Sequence, residues 1–143
     1  MNGQKPITIL FFLLLTPLIS GCATMSDVAR AKDEGTAKVY PVNTAQAGEI
    51  AKTVFRWEGA DTIEETEGYM LASSKTILGT MGALMGVWID PVDKDNTRVT
   101  VVTKRKVATN NATTLTEITF HKRFAQAVEI IKKGEKLTST PPE

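Results

Sequence analysis

Two apolar helical stripes bracket a long strand-like run, and that bracketing constrains the fold more than any other feature. The first stripe is Ala47, Ile50, Ala51, Val54 and Phe55, recurring at i, i+3, i+4, i+7 and i+8, the spacing of one buried helix face. Asn43 or Thr44 is placed to cap it. Gln46 stands three residues after Asn43 as in a capping box, and Val42 can meet Ala47 as a hydrophobic staple. The helix ends near Trp57, with Gly59 as its stop. The second stripe is Phe120, Phe124, Ala127, Val128 and Ile131, followed by Lys132, Lys133 and the stop Gly134. Thr114 and Glu117 offer it a capping box, but the apolar face becomes clear only at Phe120, which argues for a later start.

Between and before these stripes the pattern is that of strands. Residues 37–42 read as a first strand with Val39, Tyr40 and Val42 as packing residues, and Pro41, lacking an amide donor, marks an edge or a strand end. Residues 62–66 read as a short strand with one solvated face, and Gly68 turns the chain into the next strand at 69–73. Residues 77–89 are the most apolar stretch outside the N-terminus. They lack the Gly-Lys-Ser/Thr ending of a phosphate-binding loop, and they are too short for a membrane helix despite the GxxxG spacing of Gly82 and Gly86. A central strand fits best, with Gly86 at a bulge or where a helix packs closely. Pro91 ends it, Asp93-Lys94-Asp95-Asn96 turns, and residues 97–107 return. Val99, Val101 and Thr103 then share one face; Thr100, Val102 and Lys104 share the other. The expected fold is α+β: an antiparallel sheet of about four strands with two helices on one face, in the order β-α-β-β-β-α.

The N-terminus belongs to a different category. Lys5 precedes an apolar run over residues 7–19, shorter than the roughly 20 residues a spanning helix needs but of the size of a signal-peptide core. It closes on Ile19-Ser20-Gly21-Cys22, which holds the one cysteine of the chain. This stretch resembles the processing site of bacterial lipoproteins. The resemblance implies cleavage between Gly21 and Cys22, with Cys22 carrying a thioether-linked diacylglyceryl group and an acylated amine such as a palmitoyl amide. Several buried acyl chains give stable anchoring at about 0.8 kcal/mol per methylene. It also implies, from Ala23 rather than Asp after the cysteine, transport to the outer membrane, facing the periplasm. The organisation expected is a signal peptide at 1–21, a lipidated tether at 22–36 whose sparse apolar positions admit at most a short amphipathic helix, an α+β domain at 37–134 and a flexible tail at 135–143. By element order and lipid signal, residues 37–133 also resemble the small helix-grip domains of envelope lipoproteins, including a lipoprotein subunit of the outer-membrane barrel-assembly machinery. That resemblance implies a binding or scaffolding module and transfers no catalytic residue.

Composition narrows the function. Removing Lys5 with the leader brings the 17 basic residues level with the 16 acidic ones, so nothing draws the chain toward nucleic acid. With one cysteine and one histidine there is no internal disulfide and no His/Cys set for zinc, and no cofactor is expected. The acidic segment with Glu58, Asp61, Glu64, Glu65 and Glu67 suggests either paired acid/base carboxylates or calcium ligands, but no glycine-punctuated loop accompanies it, and a solvated strand is the stronger reading. His121 lies at the margin of its stripe without a nucleophile or acid in a recognisable motif, as a partly exposed structural histidine would. Met70, Met81, Met85, Trp57 and Trp88 read as packing residues. Lys104, Arg105 and Lys106 make a candidate docking patch for anionic headgroups, peptidoglycan carboxylates or an acidic protein face, set against the blander reading of solvated strand and helix faces. The expected function is a non-enzymatic, membrane-anchored interaction or scaffold module whose partner is an envelope protein or peptidoglycan. The alternative is a small-ligand or lipid binder with an apolar cavity near Trp88 and Phe124. An enzyme using Glu64, Glu65 or His121 ranks last.

Overall fold

The computed structural model describes residues 23–77, 80–105 and 113–143. A short helix α1, Met25–Ala29, and a 3-10 turn, Lys32–Glu34, precede strand β1, Thr36–Tyr40. Helix α2, Thr44–Trp57, follows, then strands β2, Thr62–Thr66, β3, Tyr69–Ile77, β4, Thr80–Pro91, and β5, Thr97–Arg105, and finally helix α3, Thr113–Lys132. All pairings are antiparallel in the order β1-β5-β4-β3-β2. The α+β class holds, but the sheet has five strands rather than four. All five stretches read as strands are in it, and the acid-rich β2, at residues 62–66, pairs with β3 through the two-residue turn Glu67-Gly68 and forms one edge. Helix α2 carries the chain from the β1 edge to the β2 edge, and α3 returns beside it.

Both long helices bury their stripes on one face of the sheet, as expected. Ile50, Val54 and Phe55 of α2 and Phe120, Phe124 and Val128 of α3 meet Tyr40, Met70, Met85, Val87, Val99 and Val101 of the strands. Asn43 and Gln46 complete the capping box of α2: Gln46 N donates to Asn43 Oδ1 at 2.9 Å and Asn43 N to Gln46 Oε1 at 3.1 Å. The periodicity of β5 is as read, with Val99 and Val101 under the helices and Val102 on the far side.

The far side is where the structure departs from the sequence reading. Residues 23–36 are not a tether. Thr24 and Asp27 form a capping box, with Thr24 N and Oγ1 each 2.7 Å from Asp27 Oδ2. Val28, fully buried, and Ala31 pack with Leu71, Leu84, Trp88 and Val102 in a second core. Lys32 then pairs with Asp90 at 2.8 Å and Glu34 with Lys104. Val28 is the one fully buried residue of this short helix, with Met25 and Ala29 partly buried against the same core. The central position of β4 explains its unbroken hydrophobicity: Met85 and Val87 face one core, Leu84 and Trp88 the other.

Residues 135–143 are docked as well, not loose. Trp57 Nε1 donates to Thr138 O at 3.0 Å, an Arg123 guanidinium nitrogen to Pro142 O at 2.7 Å, and Leu137 packs on the main core. Strand β1 is the other edge of the sheet, and there Thr36 has both outward backbone groups occupied by α3: its N–H donates to Glu117 and its carbonyl accepts from His121.

Gly86 lies under α1, so the close helix approach is the reading that holds. A Cβ at Gly86 would stand 2.7 Å from Trp88 Cη2 and 2.8 Å from Val28 Cγ1, both immobilised by burial. Gly86→Ala is expected to destabilise the fold by about 1–3 kcal/mol through overpacking. By contrast, a Cβ at Gly48 in α2 meets Met70 Cε at an ordinary 3.5 Å, so Gly48→Ala is expected to gain up to about 1 kcal/mol of helix propensity. Urea denaturation of both variants checks the pair.

Candidate functional site

Polar groups are concentrated where α3 crosses β1 and β5. The inward face of α3 is not wholly apolar: Glu117 and His121 occupy it one turn apart, 7% and 1% exposed. Glu117 Oε2 accepts from Thr36 N at 3.2 Å and from Thr36 Oγ1 at 2.5 Å, and its Oε1 accepts from Thr103 N at 3.0 Å. The carboxylate therefore does not cap its own helix, which begins at Thr113, ahead of Phe120. Thr103 Oγ1 is buried beside it without a partner among the described residues.

His121 is buried, not partly exposed. Its Nε2 lies 2.8 Å from the Thr36 carbonyl, which requires the proton on that nitrogen, and its Nδ1 lies 2.8 Å from Tyr40 Oη. The neutral ring thus accepts from the Tyr40 hydroxyl, which also lies 3.1 Å from the His121 carbonyl. Phe124 and Phe120 wall the ring pair in. Burial pushes the His121 imidazole below its ordinary value. The Thr36 hydrogen bond opposes this, the Lys38 charge adds to it, and the Glu117 charge opposes it. Burial also pushes the Tyr40 phenol up. Both ring nitrogens are engaged and buried, so the arrangement clamps α3 to β1.

The remaining candidates are dispersed. Glu64 and Glu65 alternate along β2: Glu65 faces α2 and binds Lys52 at 2.9 Å, while Glu64 points to the other side. Strand alternation keeps the two carboxylates from sharing a substrate. Lys104 and Arg105 lie on opposite faces of β5, Lys104 is held by Glu34, and Lys106 lies outside the described residues, so β5 does not assemble the docking patch on one face. Trp88 and Phe124 belong to different cores on opposite faces of the sheet, so no single cavity adjoins both. Met81 has no described side chain, and Gly21 and Cys22 lie outside the described residues. No cluster of metal-ligating side chains occurs among the described residues.

Sequence reasoning missed two features. One is an open groove of about 450 Å³ between α2 and the β2–β3 turn, floored by Gly48, Met70 and Ile89 and rimmed by Lys52, which bridges Glu49 and Glu65. The small Gly48 on an outer helix turn was its only signal. The other is Glu58, buried at the end of α2, with Oε2 lacking a hydrogen-bond partner among the described residues. Burial raises its carboxyl above the ordinary value, and Arg123 on α3 opposes that rise.

The depressed His121 value has a definite sign in stability. The unfolded chain takes up the proton near 6.5 and the folded chain only below that. The His121 contribution is therefore fully present above about pH 6.5 and lost as pH falls through the folded value. Denaturant titrations from pH 7 to 5 are expected to show falling stability in wild type and a flatter profile in His121→Asn; equal slopes would remove the imidazole from this role. Glu117→Ala, which strands buried donors on Thr36 and Thr103, is expected to cost at least about 1–3 kcal/mol at any pH in that range. Comparison with protein-family models, with curated proteins and with solved structures finds no match for this chain.

Proposed function

We propose that this chain is a lipid-anchored interaction or scaffold module of a bacterial cell envelope, exported by residues 1–21, acylated at Cys22 and facing the periplasm from the outer membrane. The observation that carries the reading is Ile19-Ser20-Gly21-Cys22 at the end of a short apolar run, with a folded domain starting immediately behind it. The roles of the residues weighed for catalysis support it: His121 and Glu117 are spent on fastening α3, and Glu65 on α2. In this reading the partners are the membrane, through the anchor, and an envelope protein or peptidoglycan.

A second reading, a small-ligand binder, is favoured by the groove between α2 and the β2–β3 turn. Its volume falls in the usual range of ligand sites, roughly 300–1,000 Å³, and it joins an apolar floor to a charged rim.

Mass spectrometry of the protein taken from its own envelope is expected to show a chain beginning at residue 22 with added acyl mass, and Cys22→Ser is expected to accumulate as the uncleaved precursor. An unmodified Cys22 in the wild-type chain would end the anchored reading. Native mass spectrometry separates the two functions: a small molecule retained by wild type and lost in Gly48→Phe favours the binder.

A further inference from the structure

We infer that the α1 side of the sheet lies against the bilayer and that the α2/α3 layer faces the aqueous compartment, so that the domain is held in one orientation rather than swinging on a tether. This rests on the anchored reading above and concerns what the anchor does to the domain.

The argument begins with the chain left outside the structure. If processing removes residues 1–21, a single residue, Cys22, separates the acyl chains from Ala23. Adjacent Cα atoms are about 3.8 Å apart, so the lipid-bearing residue cannot stray from wherever Ala23 is held. Ala23 itself packs against the second core, and Thr24 is already the N-cap of α1.

The helix is held in turn. The Thr24–Asp27 capping box closes its first turn. Val28 is fully buried over Gly86, and a side chain at Gly86 would collide with it. Beyond the helix, Lys32 binds Asp90 and Glu34 binds Lys104, which fixes the segment to both β4 and β5. From lipid to sheet there is thus no stretch of free chain. A flexible linker lets a domain choose its distance from the surface; this segment removes that choice. The surface around α1, with Thr24, Ser26 and Arg30 exposed, comes to rest at headgroup level. The groove beside α2 lies on the opposite face of the sheet and opens toward water, as does the outer face of α3. A partner would then approach through the helix layer.

The test uses the full lipoprotein purified with its acyl chains and reconstituted in phosphatidylethanolamine/phosphatidylglycerol vesicles. An environment-sensitive fluorophore is placed at Ser26→Cys on α1 or at Ala125→Cys on the outer face of α3, both exposed positions. The quencher is a headgroup spin-labelled lipid. Quenching several-fold stronger at position 26 than at position 125 is expected. Inserting about eight Gly/Ser residues between Ala23 and Thr24, which adds roughly 15 Å of reach, is expected to abolish the difference. Equal quenching at both positions, or a difference that survives the insertion, overturns the fixed orientation. The intact mass of the same sample distinguishes the two levels of failure. With acyl mass present, equal quenching defeats the orientation and leaves the anchor; with acyl mass absent, the anchored reading falls and the orientation falls with it.

Discussion

The carboxylate of Glu117 ties the last helix of the chain to the sheet formed before it. Removing such a group from water costs several kcal/mol unless its oxygens find donors. Here they find three, two from Thr36 and one from Thr103. The donors lie on neighbouring strands, so the carboxylate secures α3, β1 and β5 at one point. His121, one turn further along α3, repeats the device on the carbonyl of Thr36 and on Tyr40. Apolar contact supplies most of the energy holding α3 to the sheet, but it is indifferent to small slips along the strand direction. The hydrogen bonds are not, and they set where along the strands the helix rests.

That registration matters because the sheet is covered on both faces. β4 runs through the middle and must present acceptable surface to two layers, which it does by alternation: Met85 and Val87 toward α2 and α3, Leu84, Gly86 and Trp88 toward α1. The missing side chain at Gly86 is what lets Val28 reach the sheet. A domain of this size with one covered face would leave Leu71, Leu84, Trp88 and Val102 in water. The N-terminal segment and its two ion pairs close that face with very little chain.

Much of this was legible in the sequence. The stripe of α2, its Asn43–Gln46 box, the hairpin of β4 and β5 and the one-sided packing of α2 and α3 follow from spacing, because each is a local pattern repeated over several residues. What stayed hidden depended on single residues with distant partners. Val28 is the one fully buried residue of α1, and one valine makes no period. Glu117 and His121 interrupt an apolar stripe, and spacing reads them as a late helix start and a marginal histidine, since their partners lie more than eighty residues back at Thr36 and Tyr40. Trp88 and Phe124 both read as core, but their assignment to different cores depends on which side of β4 an extra helix occupies. The tail beyond Gly134 looks loose because it has one apolar anchor, Leu137, and its hydrogen bonds from Trp57 and Arg123 are made to its backbone.

The occupied edge of β1 has a consequence for how copies of this chain meet. An unpaired strand edge is a template on which another chain can build. Along β1 the outward groups of Thr36 are taken by α3, and the Tyr40 carbonyl accepts from Val42 N. What is left between them is Lys38, a charged residue. Growth of the sheet through this side would first require α3 to let go, so the lock that positions the helix also guards the chain against zippering into assemblies when neighbours are crowded.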